Sequence, residues 1–197
     1  MAETKIITPE FRVSYAHVFK AQKNDLSGKM EYSVVAIFPS NADLSALKQA
    51  AQNTLVEKFG ADQSKWPTTM RNPFRKCSER WKNEGGKQII PAGYEDGNAT
   101  FMTFKANEEY KPGVVDQNVQ PIIEPKDFYS GCYAIASVRP YFYDQKGNRG
   151  VSFGLNNIQK VRDGEPLGGQ SSPASDFKPI AGADAATGGG AAKSVFD

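Results

Sequence analysis

The apolar residues of this chain recur with period two in one segment after another, and only once with the spacing of a helix face. Phe11, Val13, Tyr15, His17 and Phe19 alternate with Arg12, Ser14, Ala16, Val18 and Lys20, as a strand with one face buried requires. Asn24-Asp25-Leu26-Ser27-Gly28 is a turn, and Met30–Phe38 returns as a strand dense in Val, Ile, Tyr and Phe. The exception follows at once. Leu44, Leu47, Ala51, Leu55 and Phe59 are three or four apart, which predicts a helix covering the open side of a sheet. Ser40 with Asp43 is its expected capping box, and Lys58 with Gly60 its expected end. Short strands are expected at Phe101–Ala106 and Val119–Ile123, a long one at Cys132–Tyr143, and a return at Arg149–Leu155. Residues 60–98 read as irregular. Five or more hairpin-linked strands with one inserted helix predict a mainly β chain. The expected form is a five-stranded barrel of the OB type, with a β-sandwich as the competitor.

The pattern stops near Asp163. Residues 163–197 hold seven glycines, seven alanines, four serines and three prolines, with Phe177 and Phe196 as the only aromatics. Such a stretch buries too little apolar area to offset the entropy of ordering it. The expected organisation is a folded domain over 1–162 and a flexible, mildly acidic tail over 163–197. The tail sets two lysines against five carboxylates, net −3, and the domain 22 basic against 17 acidic side chains, net +5. A basic body with an acidic tail points toward nucleic acid.

Much chemistry is excluded. One histidine and two cysteines cannot build a His-rich metal site, a four-cysteine zinc site or a disulfide scaffold. His17, the lone histidine, sits in a strand and reads as a packed or surface residue rather than a catalytic base. There is no dinucleotide fingerprint and no phosphate loop. Gly190-Ala191-Ala192-Lys193-Ser194 resembles the end of one but has no strand before it. Glu95-Asp96 and Glu108-Glu109 are the only paired carboxylates that suggest metal-dependent cleavage, and neighbours in a strand point to opposite faces. No catalytic residue, metal or cofactor is expected. No signal peptide is read at Met1–Lys5 and no apolar run approaches a membrane span, so a reducing cytoplasm is the expected compartment.

The chemistry that is present lies between Lys65 and Lys87. Lys65, Arg71, Arg75, Lys76, Arg80, Lys82 and Lys87 stand against Glu79 and Glu84, net +5, with Trp66, Phe74 and Trp81 interleaved. Cations neutralise phosphates, and aromatic faces take unstacked bases at about 1–3 kcal/mol per base. That mixture suits a single strand better than a duplex, whose bases are already stacked. In the long strand, Cys132, Ala134, Ala136, Val138, Pro140 and Phe142 share one face and read as interior. Tyr133, Ile135, Ser137, Arg139, Tyr141 and Tyr143 share the other. Arg139, Tyr141 and Tyr143 are a second candidate platform.

The run Phe153–Gly169, with Ser130-Gly131-Cys132-Tyr133-Ala134 upstream, the opening hairpin and Asn72-Pro73-Phe74-Arg75, resembles a family of bacteriophage single-stranded DNA-binding proteins. The resemblance covers nearly all of residues 1–169. It implies an OB fold, non-sequence-specific binding of single-stranded DNA and a place in phage DNA replication or recombination in the cytoplasm of the infected host. Proteins that bind single strands often end in an acidic segment closed by an aromatic, and Phe196-Asp197 resembles one, a candidate contact for phage replication proteins. Two alternatives remain: a metal-dependent nuclease or recombination enzyme, and a phage structural or interaction protein. Oligomeric state is left open.

Overall fold

The structure, a computed structural model, describes residues 5–25 and 27–168. The tail candidates Phe196 and Asp197 lie outside the described residues. The chain is mainly β with one α-helix. In order, the elements are β1 (Ile6–Ile7), β2 (Phe11–Lys23), β3 (Met30–Phe38), α1 (Ser45–Phe59), β4 (Arg75–Lys76), β5 (Lys82–Glu84), β6 (Lys87–Ile89), β7 (Thr100–Asn107), β8 (Gly113–Val115), β9 (Tyr133–Gln145) and β10 (Asn148–Arg162). Five of the strands pair in a ring, β9–β2–β3–β7–β10 and back to β9. Only the β7–β10 step of that ring is parallel. β1 adds to β9, β8 to β10 and β4 to the start of β7, while β5 and β6 form a separate hairpin.

The inward phases of these strands fill the ring. Phe11, Phe38, Phe104 and Phe153 meet edge to face at centroid distances of 5.5–6.3 Å, the geometry that ring quadrupoles favour. Cys132, Ala134, Ala136 and Val138 are buried among them, as the alternation in that strand predicted, but Pro140 and Phe142, expected on the same face, are only half-buried and lie outside this core. α1 packs on β9 and β10, burying Leu47, Ala50 and Ala51, and Phe59 at its end meets Phe142 at 5.1 Å. The helix does not begin in the expected capping box. It starts at Ser45, whose backbone N–H donates to the Asp43 carboxylate at 2.9 Å. Ser40 instead hydrogen-bonds Asp96.

Two further expectations fail locally. In β2 the predicted face inverts, because Tyr15 adopts φ 45° and the register with β3 shifts between Ser14 and His17. Tyr15 therefore turns to solvent and Val18 into the core, as a bulge dictates. Val119–Ile123 is not a strand. The Asp116 carboxylate accepts from the N–H groups of Asn118 and Gln120 and turns the chain there, with Val119 at φ 62°. The strand is β8, just before that turn, parallel to β10.

A second apolar cluster lies outside the ring. Val35, Ile37 and Phe101 on the outer faces of β3 and β7 are covered by Cys77, Tyr94 and Ala99, with Leu167 packed against them. β3 is thus buried on both faces, which is why its second half is continuously apolar. After β10 the chain through Gly168 lies back on the body. Tyr129 donates to the Asp163 carboxylate at 2.9 Å, Arg12 to the Glu165 carbonyl at 2.9 Å, and the Leu167 N–H to the Ser130 carbonyl at 2.9 Å.

Burial pushes the Cys77 thiol up to about 11 from 9.0. Stability contributed by keeping this thiol protonated is whole below pH 9, where the unfolded chain begins to ionise, and drains away as pH rises toward 11. With Cys132 also buried, neither thiol is expected to react with a disulfide reagent at pH 8 until the chain unfolds. A fast-reacting Cys77 in the native protein would show that the second cluster is open.

Candidate nucleic-acid interface

The outer faces of β7, β10 and the second half of β9 form the floor of a groove of about 2010 Å³. The segment from Arg71 to Arg80 forms its wall. That segment is held where it is by a glycine. The Arg71 N–H donates to the Arg149 carbonyl at 2.8 Å, and Arg71 bridges to Gly150. A Cβ at Gly150 would lie 2.7 Å from the Arg71 carbonyl oxygen, so no larger residue admits this contact. An Asx turn, Asn72 accepting from the Phe74 N–H at 2.9 Å, then aims the Phe74 ring at Phe153, 6.1 Å away.

Arg75 and Arg80 sit over one ring. Their guanidinium carbons lie 5.2 and 4.9 Å from the centroid of Phe101, within cation–π range. Arg75 is also paired with Glu79 at 2.9 Å. The Lys76 N–H, and then Arg75, hold the Glu79 carboxyl below its ordinary range, so the charge of Arg75 is already partly answered. On the floor, Arg139 stands opposite Gly154 in the β9–β10 ladder. Its side chain runs 3.4–3.5 Å from where a Gly154 Cβ would be, so the glycine lets the side chain lie low across β10. Tyr141 is exposed, and Tyr143 is half-buried with its hydroxyl pushed up by burial and drawn back down by Arg71.

The groove therefore brings together Arg71, Phe74, Arg75, Arg80, Arg139, Tyr141 and Tyr143 from two parts of the chain. It does not gather the remaining candidates. The Trp66 indole N–H donates to the Gly60 carbonyl at 2.9 Å, at the end of α1. The Trp81 indole N–H donates to the Tyr94 carbonyl at 2.8 Å, and its ring lies on Gly97. Lys76 donates to the Asn98 carbonyl at 2.8 Å and Lys65 pairs with Asp62 at 3.7 Å. Lys82 is on the exposed hairpin.

Lys29, Lys105, Tyr110 and Lys111 also line the groove and were not read from the sequence. Lys105 had a signal, since Thr103, Lys105 and Asn107 are the polar phase of β7. It pairs with Glu31 at 2.6 Å. Lys29, Tyr110 and Lys111 are in loops, where no periodicity marks them. Counting these, seven basic side chains line the groove against four carboxylates. Glu95 and Asp96 instead accept backbone N–H groups of Gly93 and Asn98. Among the described residues no three His, Cys, Asp or Glu side chains come together as metal ligands would, and no helix is long and apolar enough to cross a membrane.

A family model described as Enterobacter phage Enc34, ssDNA-binding protein, matches residues 4–187. A curated relative, putative protein p50 of Acyrthosiphon pisum secondary endosymbiont phage 1, is 29% identical over 170 residues, covering 84% of this chain and 87% of that one. The Enc34 single-stranded DNA-binding protein solved in complex with ssDNA superposes with a TM-score of 0.63 at 16% identity, over 83% of this chain and 89% of that one. The bacteriophage T7 single-stranded DNA-binding protein gp2.5 gives 0.55 at 14% identity, over 91% of this chain and all (100%) of that one. At such identities the structures speak to the fold.

Proposed function

The chain belongs to the family of the ssDNA-binding protein of Enterobacter phage Enc34, and from that premise we propose that it binds single-stranded DNA, without sequence preference, in the groove over β7, β10 and β9. The observation that supports this most is the meeting of Arg71, Arg75 and Arg80 with Arg139, Tyr141 and Tyr143 across Gly150 and Gly154. The guanidinium groups neutralise backbone phosphates. Exposed Tyr141 and half-buried Tyr143, with exposed Tyr110 at the far end, offer faces to bases that a duplex keeps stacked. Trp66 and Trp81, whose indole N–H groups are engaged by backbone carbonyls, brace the loops behind the wall. Binding is the whole activity, serving phage DNA replication or recombination inside the infected bacterium. The domain over 1–162 holds the strand; residues 163–168 stay on the body, and Phe196 and Asp197 at the end of the acidic tail meet replication proteins.

A poly(dT) titration by filter binding, run with and without EDTA, tests this. The expected result is binding that is indifferent to EDTA and to base composition. It should weaken with salt at a log–log slope of about −0.7 per neutralised phosphate. Cleavage that appears only with divalent metal would replace this function with a nuclease, and no binding at low salt would end it.

A further inference from the structure

An exposed hairpin and a concave apolar cleft stand at opposite ends of the groove. β5 and β6 form a two-stranded ribbon turned at Gly85 (φ 58°) and Gly86 (φ 80°), with every strand residue exposed. A ribbon of this size is marginal alone, and its root is pinned by Trp81 to Tyr94 and Gly97. It nevertheless presents Ile89 and the adjacent Ile90 to solvent, 43% and 39% exposed. The root lies at the start of β7, where Arg75 and Lys76 pair with Phe101 and Thr100 and the Cys77 N–H donates to the Ala99 carbonyl. The cleft lies past the other end of β7, roughly 25 Å away at the rise of a strand. Phe19, Val114, Val115, Pro121, Ile122 and Ile123 line its cavity of about 230 Å³, and Ile123 is 77% exposed. Lys111 lines both the cleft and the groove, while Arg80, in the groove, directly precedes the hairpin.

We infer that the hairpin of one copy seats Ile89 and Ile90 in the cleft of the next, so that the chain assembles head to tail along a single strand. Three observations support this choice of partner. The protruding patch and the concave patch are both apolar and belong to different surfaces, so the contact is heterologous and does not close on itself. The charges are complementary: Arg80, Lys82 and Lys87 outweigh Glu84 at the hairpin, while residues 107–127 around the cleft hold five carboxylates against two lysines, net −3. The two patches also lie on the long direction of the groove, so joining them sets one groove end to end with the next. That gives a strand a continuous track, whereas a symmetric dimer through either patch alone would not. The inference rests on the groove being the DNA site, but the contact can be tested separately.

The test uses full-length protein with Gln88→Cys and Glu124→Cys, the native thiols being buried, and a short bismaleimide crosslinker. It is run at high protein concentration without DNA and again on long poly(dT). The doubly substituted protein should give a ladder of tetramers and beyond on poly(dT), with shorter rungs without DNA. A mixture of the two single variants should stop at dimers, and each single variant alone should stay monomeric. Adding Ile89→Asp or Ile123→Asp should abolish the ladder. It should also weaken binding to long poly(dT) about tenfold, leaving affinity for an oligonucleotide that holds one copy unchanged. No crosslinking under either condition, or single variants that crosslink to themselves, would overturn the contact. If the unsubstituted protein ignores poly(dT), it is the DNA reading that fails, and the ladder without DNA still decides the contact.

Discussion

Replacing Arg71, Arg80 and Arg139 together by alanine should lower affinity for poly(dT) on the order of a hundredfold at low salt, and flatten its salt dependence. All three side chains are exposed in the groove, so each can lie against a phosphate. Removing three phosphate contacts should make the log–log slope shallower by about 2, and the loss should shrink as salt rises. The fold should survive. Arg71 is anchored through its backbone to Arg149, and the Arg139 guanidinium lies over a glycine rather than in the core. Replacing Arg75 alone should cost less than replacing Arg80 alone, because Glu79 already offsets its charge at 2.9 Å. Slopes from titrations at four or five salt concentrations check this. An unchanged slope in a folded triple variant would put the strand elsewhere.

Phe101→Ala should destabilise the protein by about 3–5 kcal/mol, the usual cost of deleting a buried ring and leaving its cavity. Phe101 is only 2% exposed and holds the second cluster together, meeting Tyr94 edge to face at 5.7 Å. It is also the ring beneath Arg75 and Arg80. Phe101→Leu separates the two roles. It keeps an apolar side chain in the cluster, so it should cost much less stability, yet it removes the aromatic face that orients both guanidinium groups. Poly(dT) affinity should fall several-fold with little change in the urea midpoint. Affinity that tracks stability alone across the two variants would show that the ring only packs.

The strand pattern was legible because period-two alternation is a direct consequence of one buried face. It gave the β2–β3 hairpin, the inward phase of β9 and its outward platform of Arg139, Tyr141 and Tyr143. It misled in β2, where a bulge at Tyr15 and a second register shift between His17 and Gln22 turn Tyr15 and Lys20 to solvent and bury Val18 and Ala21. Nothing in Phe11–Gln22 announces that bulge. The basic, aromatic stretch from Lys65 to Lys87 was visible as a density of charge and rings, but density along a chain says nothing of direction. The structure sends Arg71, Phe74, Arg75 and Arg80 to the groove, and ties Trp66 and Trp81 to carbonyls at Gly60 and Tyr94. Tyr110 and Lys111 escaped notice because they follow β7 in a loop. Their place depends on the β7–β10 and β8–β10 pairings, which join residues more than forty apart. Gly150 and Gly154 were equally silent, since their role is to admit a neighbour rather than to make a contact.

Photo-crosslinking with an oligonucleotide carrying 5-iodouracil, followed by peptide mapping, asks where the strand lies. Iodouracil couples to the aromatic ring on which it stacks, so the map reads the bases rather than the phosphates. Crosslinks should fall on Tyr141, Tyr143, Tyr110 or Phe74, and Tyr141→Ala should remove part of the yield without altering the fold. Crosslinks confined to Trp66 and its neighbours at the end of α1, with the groove tyrosines unlabelled, would contradict a strand held across β7, β10 and β9.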